Sequence, residues 1–222
     1  ALAAIFFTPV LYWLPKACLA AIIIVAISSL IDFSVLQKSW NYSRADFAAV
    51  SLTLALTLVI GVEIGIAAGV LASIVVHLYK TSKPHVAVVG KVPGTEHYRN
   101  VDHHQVITHE NILSIRIDES LYFANTRYLE KLLTELVAEK PRLEHVILMC
   151  IAINKIDLSA LEALEKANKA LSELQIKLHL SEVKGPIMDK LRHTDFFRDL
   201  SGNNYLSHNQ AVEDLKNDDA AP

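Results

Sequence analysis

The composition of this chain breaks in two near Pro84, and that break restricts it to folds built for two solvents. Residues 1–83 read as membrane protein, residues 85–222 as a soluble α/β domain. The run Ala45–Tyr79 is almost wholly apolar, interrupted only by small hydroxylated residues, glycines, Asp46, Glu63 and His77. Ala17–Ile31 carries no charge. Beyond Lys83 the charged residues return, and strand-like and helix-like stretches alternate. The net charge of −3 is too small to point to nucleic acid. Cys18 and Cys150 fall in different halves and read as small apolar residues, not as a disulfide. The chain opens inside an apolar stretch without methionine, so the expectation is the C-terminal portion of a longer protein.

In the membrane half, Ala1–Leu14 is apolar but interrupted by Pro9 and reaches only about 20 Å at helical rise, which suits the end of a spanning helix. Lys16–Ile31 reads as a short helix, helped at one interface by Tyr12 and Trp13. As one helix Ala45–Tyr79 would run roughly 50 Å, too long for a bilayer core. The segment Gly61-Val62-Glu63-Ile64-Gly65 offers a break, so a hairpin of two helices is expected with Glu63 near its tip. Gly61, Gly65 and Gly69 recur every four residues, a stripe that admits a close helix neighbour, either as fixed packing or as a moving contact. Glu63 has two readings as well: a functional intramembrane acid, or a carboxylate at the tip or start of the second arm. Lys38 and Arg44 precede the hairpin and Lys80 and Lys83 follow it. The excess of basic residues on that side predicts that it faces the cytoplasm.

In the soluble half, strands are expected at Val86–Lys91, Ile112–Ile117, Leu121–Ala124, His145–Ile153 and Ile176–Leu180, and a last short one at Tyr205-Leu206. The stretch Val92–His109 reads as a polar loop. Its histidines (His97, His103, His104, His109) match no metal-ligand spacing, and no metal or cofactor is expected. Helices follow Asn125 or Thr126, follow a corner at Asp157 or Ser159, and begin at Gly185-Pro186. Ser159 and Glu162 suggest a capping box. A last helical turn is expected at Ala211–Leu215, then a polar tail from Asn217. The pattern predicts a mixed sheet with helices mainly on one side. Asp157 and Ser159 stand where helix-start N–H groups could meet an anion or partner, or simply where a cap is needed. No phosphate loop, zinc spacing or nucleophile elbow is present, so no enzyme is expected.

Several of these motifs resemble one family. Leu14-Pro15-Lys16-Ala17, Leu30-Ile31-Asp32-Phe33, Gly61-Val62-Glu63-Ile64-Gly65 and Thr81-Ser82-Lys83-Pro84-His85 are similar to the C-terminal membrane segments of SulP-type anion permeases. Val92–Arg99, Leu121–Asn125 and Ile156–Leu161 resemble the linker and the cytoplasmic STAS domain of the same family. The resemblance implies α-helical transmembrane segments (1–84, part of the gate domain), an α/β STAS-like domain (85–216) and a polar tail (217–222). It further implies a homodimeric secondary transporter of small anions working by alternating access, in a bacterial inner (plasma) membrane, with its substrate residues upstream of Ala1. STAS domains also resemble anti-sigma-factor antagonists, whose switch serine directly follows the corner aspartate. Here that position is Leu158, and Ser159 comes next. The competing reading is a membrane-anchored STAS module that recruits a cytosolic regulatory protein or a nucleotide.

Overall fold

The computed structural model describes residues 15–28 and 34–218, and the chain divides into two compact units, Ala1–Val76 and His77–Pro222. The expectations for Ala1–Leu14, for the end of the Lys16–Ile31 helix and for the last four residues of the tail lie outside the described residues.

The first unit is helical. Helix α1 runs Lys16–Ser28 and α2 runs Ser34–Tyr42. The second of these is an addition: a polar, amphipathic stretch that sequence reading leaves as a loop. Ser43 then adopts an extended backbone and accepts a hydrogen bond from the Asp46 N–H at 3.3 Å, which starts α3, Arg44–Val59. Gly61 has φ +135°, a conformation that a side chain would strain, and there the chain reverses into α4, Val62–Ser82. The hairpin read from the sequence is therefore present, with unequal arms. At helical rise the two arms are about 24 and 31 Å long. Among the described residues only Val62–Ser82 is both long and apolar enough to cross a membrane; Lys16–Ser28 is apolar but shorter.

Helix α4 continues into the second unit, whose centre is a six-stranded sheet of order β2-β1-β3-β4-β5-β6. Its strands are β1 Val86–Lys91, β2 Tyr98–Asn100, β3 Ile112–Ile117, β4 His145–Met149, β5 Lys177–Ser181 and β6 Asn204–Tyr205. The first three strands pair antiparallel, and β3 to β6 run parallel. Strand β2 lies inside the stretch read as a loop. Leu121–Ala124 corrects in the other direction: only a bridge from Leu121 to Ile156 forms.

The alternation along each strand separates two cores. Leu113, Ile115, Ile117, Val146, Leu148, Leu178 and Leu180 face one side, beneath α5 (Thr126–Ala138), α6 (Leu158–Glu173), α7 (Gly185–Leu191) and α8 (Asp195–Arg198). Ile112, Ile147, Met149 and Tyr205 face the other, beneath α9 (His208–Asp218), which contributes Ala211, Val212 and Leu215. Four helices against one is the lopsided arrangement expected, but α9 is a full helix and not a single turn. It reaches Asp218, past the start of the expected tail. Lys91 Nζ ties α9 to β1 by an ion pair with Glu213 at 2.8 Å.

Candidate functional site

Two groups of residues singled out by the sequence can be placed. The first is the hairpin. Gly65 and Gly69 are buried on α4, and a Cβ added to either would collide with α3. At Gly65 the obstruction includes the Thr57 backbone at 2.7 Å; at Gly69 it is the side chain of Thr53, whose Cγ2 would lie at 2.9 Å. Gly61 does not share this packing. It forms the turn, has open space around it, and its carbonyl accepts the Gly65 N–H at 3.0 Å to begin α4. Glu63 lies exposed in the first turn of α4, where a carboxylate is favoured by the helix dipole.

The second group is the corner between β4 and α6. Asp157 uses both carboxylate oxygens: Oδ1 accepts the Ala160 N–H at 2.8 Å as the helix cap, and Oδ2 accepts the Phe123 N–H at 2.9 Å. It thereby pins the segment after β3 to the start of α6, beside the Leu121–Ile156 bridge. The cap is thus Asp157 alone, and the capping box on Ser159 does not form. An Asp followed three residues later by a free backbone donor closes the first turn before a serine two residues further along can do so. Ser159 is left exposed on the first turn of the helix, and Leu158 beside it is 70 % exposed. Asn125 occupies the cap position of α5 but turns inward, accepting from Tyr122 N–H at 3.0 Å and donating to the Ser120 carbonyl at 2.8 Å.

Sequence reading gave no hint of a polar layer under α9. His208 is fully buried between two hydroxyls, with Nδ1 2.8 Å from Ser181 Oγ and Nε2 3.0 Å from Ser114 Oγ. Its ring also meets Tyr98 edge-on at 4.4 Å. Burial lowers its pKa from 6.5 to about 4, so the imidazole stays neutral, one nitrogen donating and one accepting. Nearby, the Asn203 N–H donates to His179 Nδ1 at 3.0 Å. The His179 proton therefore sits on Nε2 and points at His145 Nδ1, 3.1 Å away. Burial pushes the Cys150 thiol up to about 12, which keeps it unreactive. At the amino ends of the parallel strands an open cleft of about 870 Å³ is lined by Glu110, Arg142, Glu144, His145 and Lys177, with Arg142 paired to Glu110 at 2.9 Å. Its charges balance and select no ligand class. Among the described residues no group of three His, Cys, Asp or Glu side chains could hold a metal.

Comparison with known proteins follows the same division of the chain. Residues 1–53 match the sulfate permease family and residues 103–211 match the STAS domain. The chain is thus similar to the sulfate permease family in its first part and to STAS domains in its second. Sulfate transporter 1.3 of Arabidopsis thaliana is 33 % identical over 94 % of the chain, and high affinity sulfate transporter 2 of Stylosanthes hamata is 30 % identical over 88 %. The chain spans about a third of the length of these relatives, 34 % and 31 %. Murine Solute Carrier 26 family member A9, an anion transporter solved in the inward-facing state, shares the fold with a TM-score of 0.78. It is 22 % identical over 92 % of this chain and 34 % of its own. The relatives are transporters and not enzymes, and the permease match indicates an integral membrane protein.

Proposed function

We propose that this chain is the carboxyl-terminal part of a secondary transporter for inorganic or small organic anions, with sulfate the first candidate and bicarbonate or dicarboxylates next. The observation that carries this reading is continuity. Helices related to a permease and a STAS domain follow each other in one chain, and named sulfate transporters align across nearly all of it. In this reading the helical hairpin belongs to the gate that moves against a substrate-binding core during alternating access. The close fit of Gly65 and Gly69 on α3 supports a rigid hairpin moving as one body. The soluble domain (85–216) regulates or dimerises the transporter, and it lies in the cytoplasm of a plasma membrane. Lys38, Arg44, Lys80 and Lys83 on one side of the hairpin support that orientation.

The test is uptake. The full-length protein reconstituted into liposomes is expected to accumulate labelled sulfate, with unlabelled anions of the same class competing. Absence of uptake across sulfate, bicarbonate, oxalate and dicarboxylates overturns the proposal. Cysteine labelling at His85 from the outside of intact cells would overturn the orientation while leaving transport standing.

A further inference from the structure

Between Val86 and Asp218 the described residues include six exposed large apolar side chains: Ile107, Phe123, Ile151, Leu158, Leu174 and Leu206. Four of them stand at the carboxyl ends of the parallel strands: Phe123 in the segment after β3, Ile151 between β4 and α6, Leu158 at the first residue of α6, and Leu206 directly after β6. They are 65, 48, 70 and 90 % exposed. The hydrogen bond from Phe123 N–H to Asp157 places two of these connections side by side, and that from Lys184 Nζ to Asn154 Oδ1 at 2.6 Å joins the connection after β5 to them.

The same end receives the membrane helix. Strand β1 runs antiparallel to β3, and its first residue, Val86, pairs with Ile117, the last residue of β3. Only Lys83, Pro84 and His85 separate Val86 from the end of α4 at Ser82, a reach of about 14 Å at full extension. An apolar end of a domain on so short a tether has lipid within reach.

Charge completes the picture. The acids of these connections are engaged within the domain: Asp118 with Arg116 and His85, Glu119 with the Ser120 N–H, Asp157 with two backbone N–H groups, and Glu182 with the His208 N–H. Burial alone would raise the Asp118 pKa, but its bonds to Arg116 and His85 outweigh that and hold it low, so it remains a neutralised partner. The exposed basic residues are Lys155, between Ile151 and Leu158 in the chain, and Lys184, whose ammonium bridges to Asn154 of the same connection.

We propose that the carboxyl end of this sheet is a membrane-binding surface: Phe123, Ile151, Leu158 and Leu206 enter the headgroup layer of the bilayer that anchors the chain, and Lys155 and Lys184 meet its anionic headgroups. The proposal rests on the membrane attachment and not on transport, so it stands or falls separately from uptake.

A tryptophan reporter tests it. Both cores of the domain draw only on residues from Val86 to Leu215, so residues 85–222 fold alone, and that piece contains no tryptophan. In the full chain carrying Trp13→Phe and Trp40→Phe, Leu158→Trp and Leu174→Trp are compared in bilayers of brominated lipid. Leu158→Trp is expected to be quenched about twofold more than Leu174→Trp, as suits a residue buried shallowly at the acyl boundary. Equal quenching, or quenching of neither, overturns the proposal. The isolated piece is expected to sediment with vesicles containing phosphatidylglycerol, and Lys155→Gln with Lys184→Gln to weaken that binding about thirtyfold. Binding indifferent to phosphatidylglycerol overturns the role of the lysines. Self-association of the piece that buries the Leu158→Trp reporter without lipid overturns the surface's assignment to lipid and gives it to a second copy.

Discussion

On α1, Ile23, Ile24 and Val25 are 56, 66 and 69 % exposed; on β3, Ile115 and Ile117 are completely buried. The residue types are the same and the surroundings opposite. In the helical unit apolar side chains cover every side of α1 and most sides of α3 and α4, so no stripe tells inside from outside. Lipid gains nothing by expelling a leucine, and these helices are held by close steric fit at small residues. In the sheet domain, burial itself stabilises, by about 1.5–3 kcal/mol for each fully buried Leu or Ile. One chain thus follows two packing rules, and substitutions should separate them.

The largest effect is expected where fit alone holds. Gly65→Ala drives a methyl group into the backbone of Thr57, and Gly69→Ala drives one into the side chain of Thr53. Each should destabilise the hairpin by about 3 kcal/mol, at the upper end for overpacking, read as thermal unfolding in detergent micelles. The two differ in rescue. Thr53→Ala should restore most of the stability lost in Gly69→Ala, because the obstructing atoms are removed. Thr57→Ala should leave Gly65→Ala unstable, because the obstructing backbone remains. Equal rescue of both would show that the hairpin packs through side chains only.

In the sheet domain the corresponding test is the polar layer. The buried His208 has its pKa held near 4, below the 6.5 of an unfolded histidine. The unfolded chain therefore takes up its proton first as the pH falls. The contribution is complete above pH 6.5 and is lost between 6.5 and about 4, amounting to about 3 kcal/mol. Glu213, held down to about 2 by hydrogen bonds to Lys216 and Lys91, is fully effective above 4.5 and loses its contribution only below that. Urea unfolding of residues 85–222 at pH 7.5 and pH 4.5 should show the loss, and His208→Gln should flatten it. An unchanged slope in the variant would place the proton elsewhere.

A smaller effect is expected at the corner. Asp157→Ala removes the helix cap and strands the Phe123 N–H, a cost of about 2 kcal/mol. Asp157→Asn keeps one acceptor oxygen and should recover about half of it. The measurement is again urea unfolding of the soluble piece. An Asn variant as weak as the Ala variant would mean that the negative charge, and not the two hydrogen bonds, holds the corner.

Legibility in the sequence follows the same divide. The hairpin could be read because Gly61 interrupts a run too long for a bilayer, and β3, β4 and β5 because their apolar runs are strong, although β4 stops at Met149 and the rest of its run, Cys150–Ile153, turns away from the sheet as a loop. Strand β2 could not: it is three residues long, with Arg99 facing out, and it forms only because Tyr98 and Asn100 find β1. Leu121–Ala124 looked like a strand, but Asn125 bends the chain by taking up the Tyr122 N–H. His208 was invisible because its partner Ser114 lies 94 residues away, and no local pattern reports that distance. The glycine stripe showed that a close neighbour exists, but not that Gly61 stands outside the contact, because spacing carries no dihedral angle.

The smallest effect expected is at Ser159, and it is the most discriminating for the corner. Were this hydroxyl the helix cap, Ser159→Ala would cost about 1 kcal/mol. With Asp157 Oδ1 already 2.8 Å from the Ala160 N–H and Ser159 exposed, the same change should stay within about 0.5 kcal/mol. Alanine is also a better helix former than serine by a few tenths of a kcal/mol, so the sign should tend to stabilisation. Denaturation of the soluble piece with and without Asp157→Ala separates the cases. If Ser159 is idle, its substitution costs the same in both backgrounds. If Ser159→Ala becomes costly only when Asp157 is gone, the serine is a reserve cap that the aspartate normally outcompetes.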